Sequence, residues 1–504
     1  MHCCAPRGGC YNESVHIADA FFFGALAFLM GVLLSSAGVT TPILWATVVA
    51  ELVCFLAWAF HPRLTRFLSS APRKTFLAVA ALVLLFPAGA VYYTWDDRRF
   101  RSVTVPFDRE IDFSGMVVND PVVSTRGRSA GLVLAPPRSG RILLSLPAYP
   151  EVAYGDALQG RGVVTVPIPD WYARYLAKER VSGVVRYADV ERTASGAGSP
   201  IKALLYSLKH AVTDSFARVL PAGEAAFLSG LTIGERAEFS EEFTEAMRRS
   251  GTTHLVALSG YNITIVVTAA MGLFLYFLRR RLAFILTFLV VIGFVVMTGA
   301  EASVVRAAII GLLILFAREA GRQFDIRNAI VAAGLAMVFW NPKVLLFDVG
   351  FQLSFLALLG IVYLEPALRK LFRVSGKGFL AWKENLMTTL AAQLAVAPLL
   401  ITQFGSVSLT SLIANVLILS AVPTTMALGF AIAFVSFLST VFASVLGLVA
   451  WVLLKFEMFV ITLFSALALP LAPALGWGLT VAYYGALTAL IAYARLNRTK
   501  TQEA

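Results

Sequence analysis

The stretch SGTTHLVALSGYNITIVV, residues 250–267, places His254, Ser259, Gly260 and Asn262 at the start of a long apolar run. A histidine and a serine in one segment suggest nucleophilic catalysis, in which an imidazole activates a hydroxyl within hydrogen-bond reach. The spacing argues against it, because five residues turn an α-helix by about 140° and His254 and Ser259 then point apart. The chain has five histidines, His2, His16, His61, His210 and His254, and no later apolar segment supplies one as a base. Ser259 and Asn262, three apart, share a helix face, and Gly260 between them loosens the backbone.

The other polar residues in apolar runs are few. In TGAEASVVRAAII, Glu301 stands five residues before Arg306, which fits either an intramembrane ion pair or an arginine facing a polyanion path. In FDVGFQLSF, Asp348, Gln352 and Phe355 fall on one helix face, as glue between helices or as the lining of a cavity. Gln393 and Asn415 put amides near prolines, where broken helices are tolerated if they line a cavity. No H-x-H or H-E-x-x-H occurs, no paired aspartates sit in an apolar run, and G-x-x-x-x-G-K-[ST] is absent. Three of the four cysteines (Cys3, Cys4, Cys10, Cys54) crowd an N-terminal tail without a zinc-like spacing. No enzyme activity, metal or cofactor is expected.

The elements that must position these residues are mostly membrane helices. The 504 residues are 58% hydrophobic and 14% charged, with mean hydropathy +0.76. Apolar runs of about 20 residues, enough to cross a hydrocarbon core, recur from residue 21 to residue 494. Three come first, near 21–37, 42–60 and 76–93, after a tail of residues 1–20. Nine more follow from residue 254, near 254–278, 282–299, 302–317, 327–341, 349–364, 386–404, 408–437, 441–466 and 475–494, giving about twelve crossings before a tail at 495–504.

Residues 96–192 differ in kind. IDFSGMVV, GLVLAP, RILLSLP, ALQGRGVVTV and VSGVVRYADV are short β-branched runs split by Pro, Gly and Asp, and DWYARYLAKE is a short helix before the last of them. The pattern predicts a five-stranded, OB-like barrel. Residues 193–253 form a linker and amphipathic helices. One helix, over 201–219, has its apolar face suited to lying on a membrane; another is marked by Ser240 as N-cap, Glu241 and Glu242 in the first turn, and Gly251 beyond the end.

Lysine and arginine gather in HPRLTRFLSSAPRK, at Arg279-Arg280-Arg281, in AREAGRQFDIR and EPALRKLFRVSGKGFLAWKE, and in RLNRTK. The positive-inside rule then places both termini in the cytoplasm and the barrel outside the cell membrane. Topology thus accounts for most of the net charge of +12, which by itself does not argue for nucleic acid.

LSGLTIGERAEFSEEFTEAMRRSGTTHLVALSGYNITIVV closely resembles the signature of the ComEC competence family, the inner-membrane DNA channel of natural transformation. EASVVRAAII, GRQFDIRNAIVAAGLAMVFWNPKVLLFDVGFQLSFLALLGI and AAQLAVAPLLITQFGSVSLTSLIANVL continue the resemblance in order, and the external domain looks like that family's OB-like domain. Two departures stand out. Many members carry a histidine where this chain reads Tyr261-Asn262, and many continue into a metallo-β-lactamase-like nuclease domain, whose H-x-H-x-D-H motif does not appear before Ala504. That domain is expected to be a separate protein or absent, unless the chain is truncated.

The resemblance implies a channel over residues 254–494 for single-stranded DNA, with a DNA receptor, an ATP-driven helicase or translocase and a separate nuclease as partners. Arg126, Arg128, Arg138 and Arg141 are the barrel's candidates for guiding the strand. Arg306 is the candidate for phosphate contact in the pore. A membrane scaffold or assembly factor recruiting a nuclease, and a small-molecule or lipid exporter, are the readings from other classes.

Overall fold

The computed structural model describes residues 8–38 and 73–502, apart from residues 104, 125–126, 148, 150, 236–238, 257, 259, 375–381, 406, 409, 469 and 472–475. The crossing expected near 42–60 therefore lies outside the described residues, as do Arg126 and Ser259. The chain divides into two compact units, Met1–Pro121 with Arg128–Ala197 and Ile309–Val349, and Val122–Gly127 with Gly198–Ala308 and Gly350–Ala504.

In the first unit, helix α1 (Gly8–Ser36) packs along α2 (Arg73–Arg101). Helix α1 begins at Gly8, so most of the expected tail is helical. Glycine sets the crossing: a Cβ at Gly31 would overlap the Phe86 carbonyl oxygen, and one at Gly89 the Phe28 carbonyl oxygen. Such close backbone approach holds helices together where lipid gives no hydrophobic drive.

The barrel follows: β1 (Glu110–Val117), β2 (Gly127–Leu134), β3 (Arg141–Leu146), β4 (Ala157–Thr165), helix α3 (Asp170–Lys178), β5 (Val181–Arg186) and β6 (Asp189–Ala194). Hydrogen bonding runs β1-β2-β3-β5-β4 and returns to β1, closing five strands into a ring, with β3 and β5 parallel and β6 paired to β4. Alternation is clear in β3, where Ile142, Leu144 and Leu146 point inward to meet Phe113, Leu132, Leu158 and Val185. Four of the five expected strands and the helix are present as single elements, and the fifth, VSGVVRYADV, is split at Tyr187–Ala188 into β5 and β6. Helix α9 (Ala302–Glu319) is followed by α10 (Ile326–Trp340) and the one-turn α11 (Val344–Phe347).

In the second unit, α4 (Pro200–Val219) leads into α5 (Ala222–Ile233), which is buried from Glu224 to Ile233, and then α6 (Glu241–Ser250). Helix α4 departs from a surface helix: Ile201, Leu204 and Leu208 are exposed, but Phe216 is fully buried in the bundle core. The Ser240 hydroxyl caps α6 by accepting from the Phe243 amide at 3.1 Å, and Gly251 ends it at φ 71°.

After α6 come α7 (Gly260–Phe277), α8 (Arg280–Met297), the start of α9, α12 (Val349–Leu359), a π-turn Gly360–Leu364, α13 (Glu365–Leu371), α14 (Trp382–Phe404), α15 (Ser411–Ser436), α16 (Thr440–Ala466) and α17 (Trp477–Gln502). Where α12 turns at Gly360, a Cβ would stand 2.7 Å from the Ala391 carbonyl oxygen of α14. Among the described residues, seven helices are long and apolar enough to cross a membrane, and Ala222–Ile233, Asn262–Phe277 and Ile326–Trp340 are apolar but shorter.

Candidate functional site

The opening segment is not one continuous helix. A single 3₁₀ turn, Thr253–Leu255, precedes α7, and His254 is exposed on that turn, outside any crossing helix. Asn262, in the first turn of α7, is buried, and its side-chain amide donates to the Leu231 carbonyl of α5 at 2.9 Å. Its polarity ties two helices together. Leu228, Leu231 and Val256 pack around this junction.

The first turn of α9 is joined to the chain entering α7, because the Ser303 hydroxyl donates to the Leu258 carbonyl at 2.7 Å. Two helix N-termini are thereby brought near each other. The first amides of a helix lack intrahelical acceptors, and its N-terminus carries a partial positive charge. Arg306 lies in the second turn of α9. Its Nη1 donates to the Ser354 carbonyl of α12 at 2.7 Å, and its guanidinium carbon lies 5.7 Å from the centre of the Phe355 ring. A Cβ at Gly260 would stand 3.6 Å from Nη2, so glycine leaves that side of the guanidinium open to the start of α7.

The buried Nε of Arg306 has no partner among the described residues. Its charge is met by a carbonyl and a ring rather than by Glu301, which is half-buried just before α9. A guanidinium has five donors. Donors left over beside two helix N-termini make an environment suited to an anion.

Gln393 of α14 donates to the Ser411 hydroxyl at 2.9 Å, and that hydroxyl donates to the Ser408 carbonyl at 2.6 Å. Gly251 sits against Ser411, where a Cβ would stand 2.6 Å from the serine Cβ. One turn along α15, Asn415 is buried, and its Oδ1 has no partner among the described residues. Gln352 is half-buried on α12.

Asp348 belongs to a different cluster, in the first unit. Lys178, the last residue of the barrel helix α3, reaches it at 3.0 Å, and the Asn341 side chain donates to the Lys178 carbonyl at 2.6 Å. Arg180 pairs with Asp96 at 2.7 Å, and the fully buried Lys343 pairs with Asp97, its ammonium 4.6 Å from the Phe100 ring centre. Burial works against the Lys178 ammonium, yet Asp348, Glu179 and Tyr175 outweigh it and raise its pKa. Burial would likewise push Asp97 up, but Lys343 and Arg101 hold its carboxyl below the usual range. Asp348 thus joins α11 to the barrel through an ion pair.

Two of the barrel's candidate arginines are engaged internally. Arg128 pairs with Glu151 at 2.9 Å, and Arg141 donates to the Glu179 carbonyl at 3.1 Å with its guanidinium against Gly131. Arg138 is half-exposed near Asp112.

Two features escaped the sequence pattern. Helix α5 shows no apolar stripe because it is buried on every side. Glu457 is fully buried in α16; a lone carboxyl in LLKFEMFV is the signal that marks it.

The competence-protein family profile matches residues 231–496, from the end of α5 into α17. The chain belongs to the competence-protein family. The matched stretch holds Asn262, Arg306, Gln393, Asn415 and Glu457 and excludes the barrel. Within this family, ComE operon protein 3 of Bacillus subtilis (strain 168) is 26% identical over 257 residues, which are 50% of this chain and 31% of that protein. The chain therefore matches less than a third of that relative's length. No solved structure matches.

Proposed function

We propose that the helical bundle carries single-stranded DNA across the cell membrane during natural transformation. The observation that carries this reading is the family match over residues 231–496, within which Arg306 stands with unused donors beside the starts of α7 and α9. Each nucleotide brings one phosphate charge, and charge-assisted, forked hydrogen bonds from arginine suit it.

On this reading α7 and α9 begin at the outer face, both termini are cytoplasmic, and the barrel stands outside the cell membrane. The ring order β1-β2-β3-β5-β4 with a short helix supports an OB-like assignment of the barrel. A partner helicase or translocase supplies the force. A DNA receptor and a nuclease complete the machinery. One observation favours a second role for the barrel, as a scaffold for assembly: Arg128 and Arg141 are held by groups of the barrel itself.

Uptake of labelled DNA by cells carrying Arg306→Ala, at matched protein level in the membrane, tests the reading. A charge-assisted hydrogen bond is worth about 1.5–3 kcal/mol, so uptake falls by roughly 10- to 100-fold at about 1.4 kcal/mol per decade. Unchanged uptake removes Arg306 from the path, and normal uptake in a full deletion removes the channel.

A further inference from the structure

Glu457 sits in the middle of α16, and its side chain is fully buried. Leu454, Val460 and Ile461 flank it on its own helix, and Val422 and Met426 belong to the same core on α15. Its sole polar contact among the described residues is Thr425 of α15, whose hydroxyl lies 2.7 Å from Oε1, while the buried Oε2 has no partner.

Among the described residues no opposite charge offsets it. Helix α15 contains no charged residue. Lys455, two positions away on α16, is paired with Glu224 of α5 at 2.6 Å. On α6, Arg248 pairs with Glu245 at 2.7 Å in an exposed position, and on α4, Lys209 pairs with Glu235 at 2.5 Å. The remaining charges of these packed helices, Glu241, Glu242 and Arg249 on α6 and Lys202, Asp214 and Arg218 on α4, with His210, make no ion pair or hydrogen bond to Glu457.

The Thr425 hydroxyl also lies 3.3 Å from the Ala421 carbonyl. Hydroxyl hydrogens rotate to suit their surroundings, so two arrangements exist that differ by one proton. With the carboxyl protonated, Glu457 donates to Thr425, Thr425 donates to Ala421, and every hydrogen has an acceptor. With the proton gone, Thr425 turns to donate to Oε1, and a full negative charge rests on one hydrogen bond with Oε2 bare. Burying an ion that way is far more costly than burying the neutral acid.

We propose that Glu457 is a proton-binding site inside the bundle, occupied while α15 and α16 are packed as in this structure and vacated to water only when they separate. The site is independent of the DNA reading, because its occupancy is read without DNA.

The test is infrared difference spectroscopy on the full-length protein in lipid vesicles at neutral pH, wild type minus Glu457→Gln. The expected result is a deuterium-sensitive carboxylic-acid C=O band that the Gln variant lacks and that shifts in Thr425→Val, where the acid loses its acceptor. Should Glu457→Gln fail to fold, the band shift in Thr425→Val carries the assignment. Absence of an acid band attributable to Glu457 in folded wild-type protein overturns the proposal.

Discussion

Removing the Lys178 ammonium isolates the cost of the contact between the barrel helix and α11. The pair is 3.0 Å apart, with side chains 14% and 11% exposed. Breaking a buried pair by deleting one partner costs about 3–5 kcal/mol, and the residual exposure lowers this to roughly 2–4 kcal/mol for Lys178→Met, which keeps the apolar stem and leaves the Asp348 carboxylate without its cation. Asp348→Asn is milder, at about 1–2 kcal/mol, because Lys178 keeps Glu179 at 3.6 Å and the Tyr175 ring at 4.6 Å.

The double variant separates pairing from general damage. If the two side chains act on each other, the double variant is about as stable as Lys178→Met alone, with a coupling energy of about 1–2 kcal/mol. The assay is chemical or thermal unfolding in detergent, followed by near-ultraviolet circular dichroism. Additive single effects refute the argument. The pH dependence has a fixed sign. The folded-state pKa of Lys178 is raised, so its contribution is complete below the unfolded value of about 10.4 and is lost as pH rises through the folded value. Wild type therefore loses stability in that alkaline window, and Lys178→Met does not share that loss.

Gly89→Ala places a methyl on the Phe28 carbonyl and forces α1 and α2 apart, at a cost of about 1–3 kcal/mol in unfolding experiments; an unchanged midpoint refutes the close crossing. Tyr187 is exposed at the turn between β5 and β6 with φ 55°, a conformation glycine adopts freely. Tyr187→Gly should leave thermal stability unchanged or raise it by up to about 1 kcal/mol. If the barrel stacks bases on this ring, the same variant weakens binding of fluorescent single-stranded oligonucleotides by about 1–3 kcal/mol; unaltered affinity assigns Tyr187 no such role.

Much of this fold is readable from pattern, because its elements are either long apolar runs or alternating strands. The five barrel strands and α3 appear where Pro, Gly and Asp punctuate the sequence, and α6 falls between its cap residues Ser240 and Gly251. What pattern does not give is direction. Asp348 and Gln352 share a helical spacing, yet the chain breaks at Asp348, which closes α11 and turns to Lys178, a partner 170 residues away. His254 reads as the start of a crossing, but the glycine at 260 begins the helix and leaves the histidine on a separate turn. Partners so distant in sequence have no local signature, and a helix buried on every side such as α5 has no periodicity to betray it.

Charge in the interior is handled in two ways, and the difference separates structural residues from candidates for function. Lys343 with Asp97, Lys178 with Asp348 and Arg180 with Asp96 each set a cation against an anion, so each field is closed within the fold. Among the described residues, Arg306 and Glu457 are met by neutral groups, a carbonyl and a ring in one case and a hydroxyl in the other. A carboxyl can resolve that position by taking a proton. An arginine cannot, since its guanidinium stays charged at any accessible pH. On the reading proposed above, the group that closes the field of Arg306 is a phosphate passing the starts of α7 and α9. The two residues therefore make opposite predictions under charge-neutral replacement. Glu457→Gln keeps the packing because the native group is already neutral, whereas Arg306→Gln keeps the fold and abolishes the attraction for the anion.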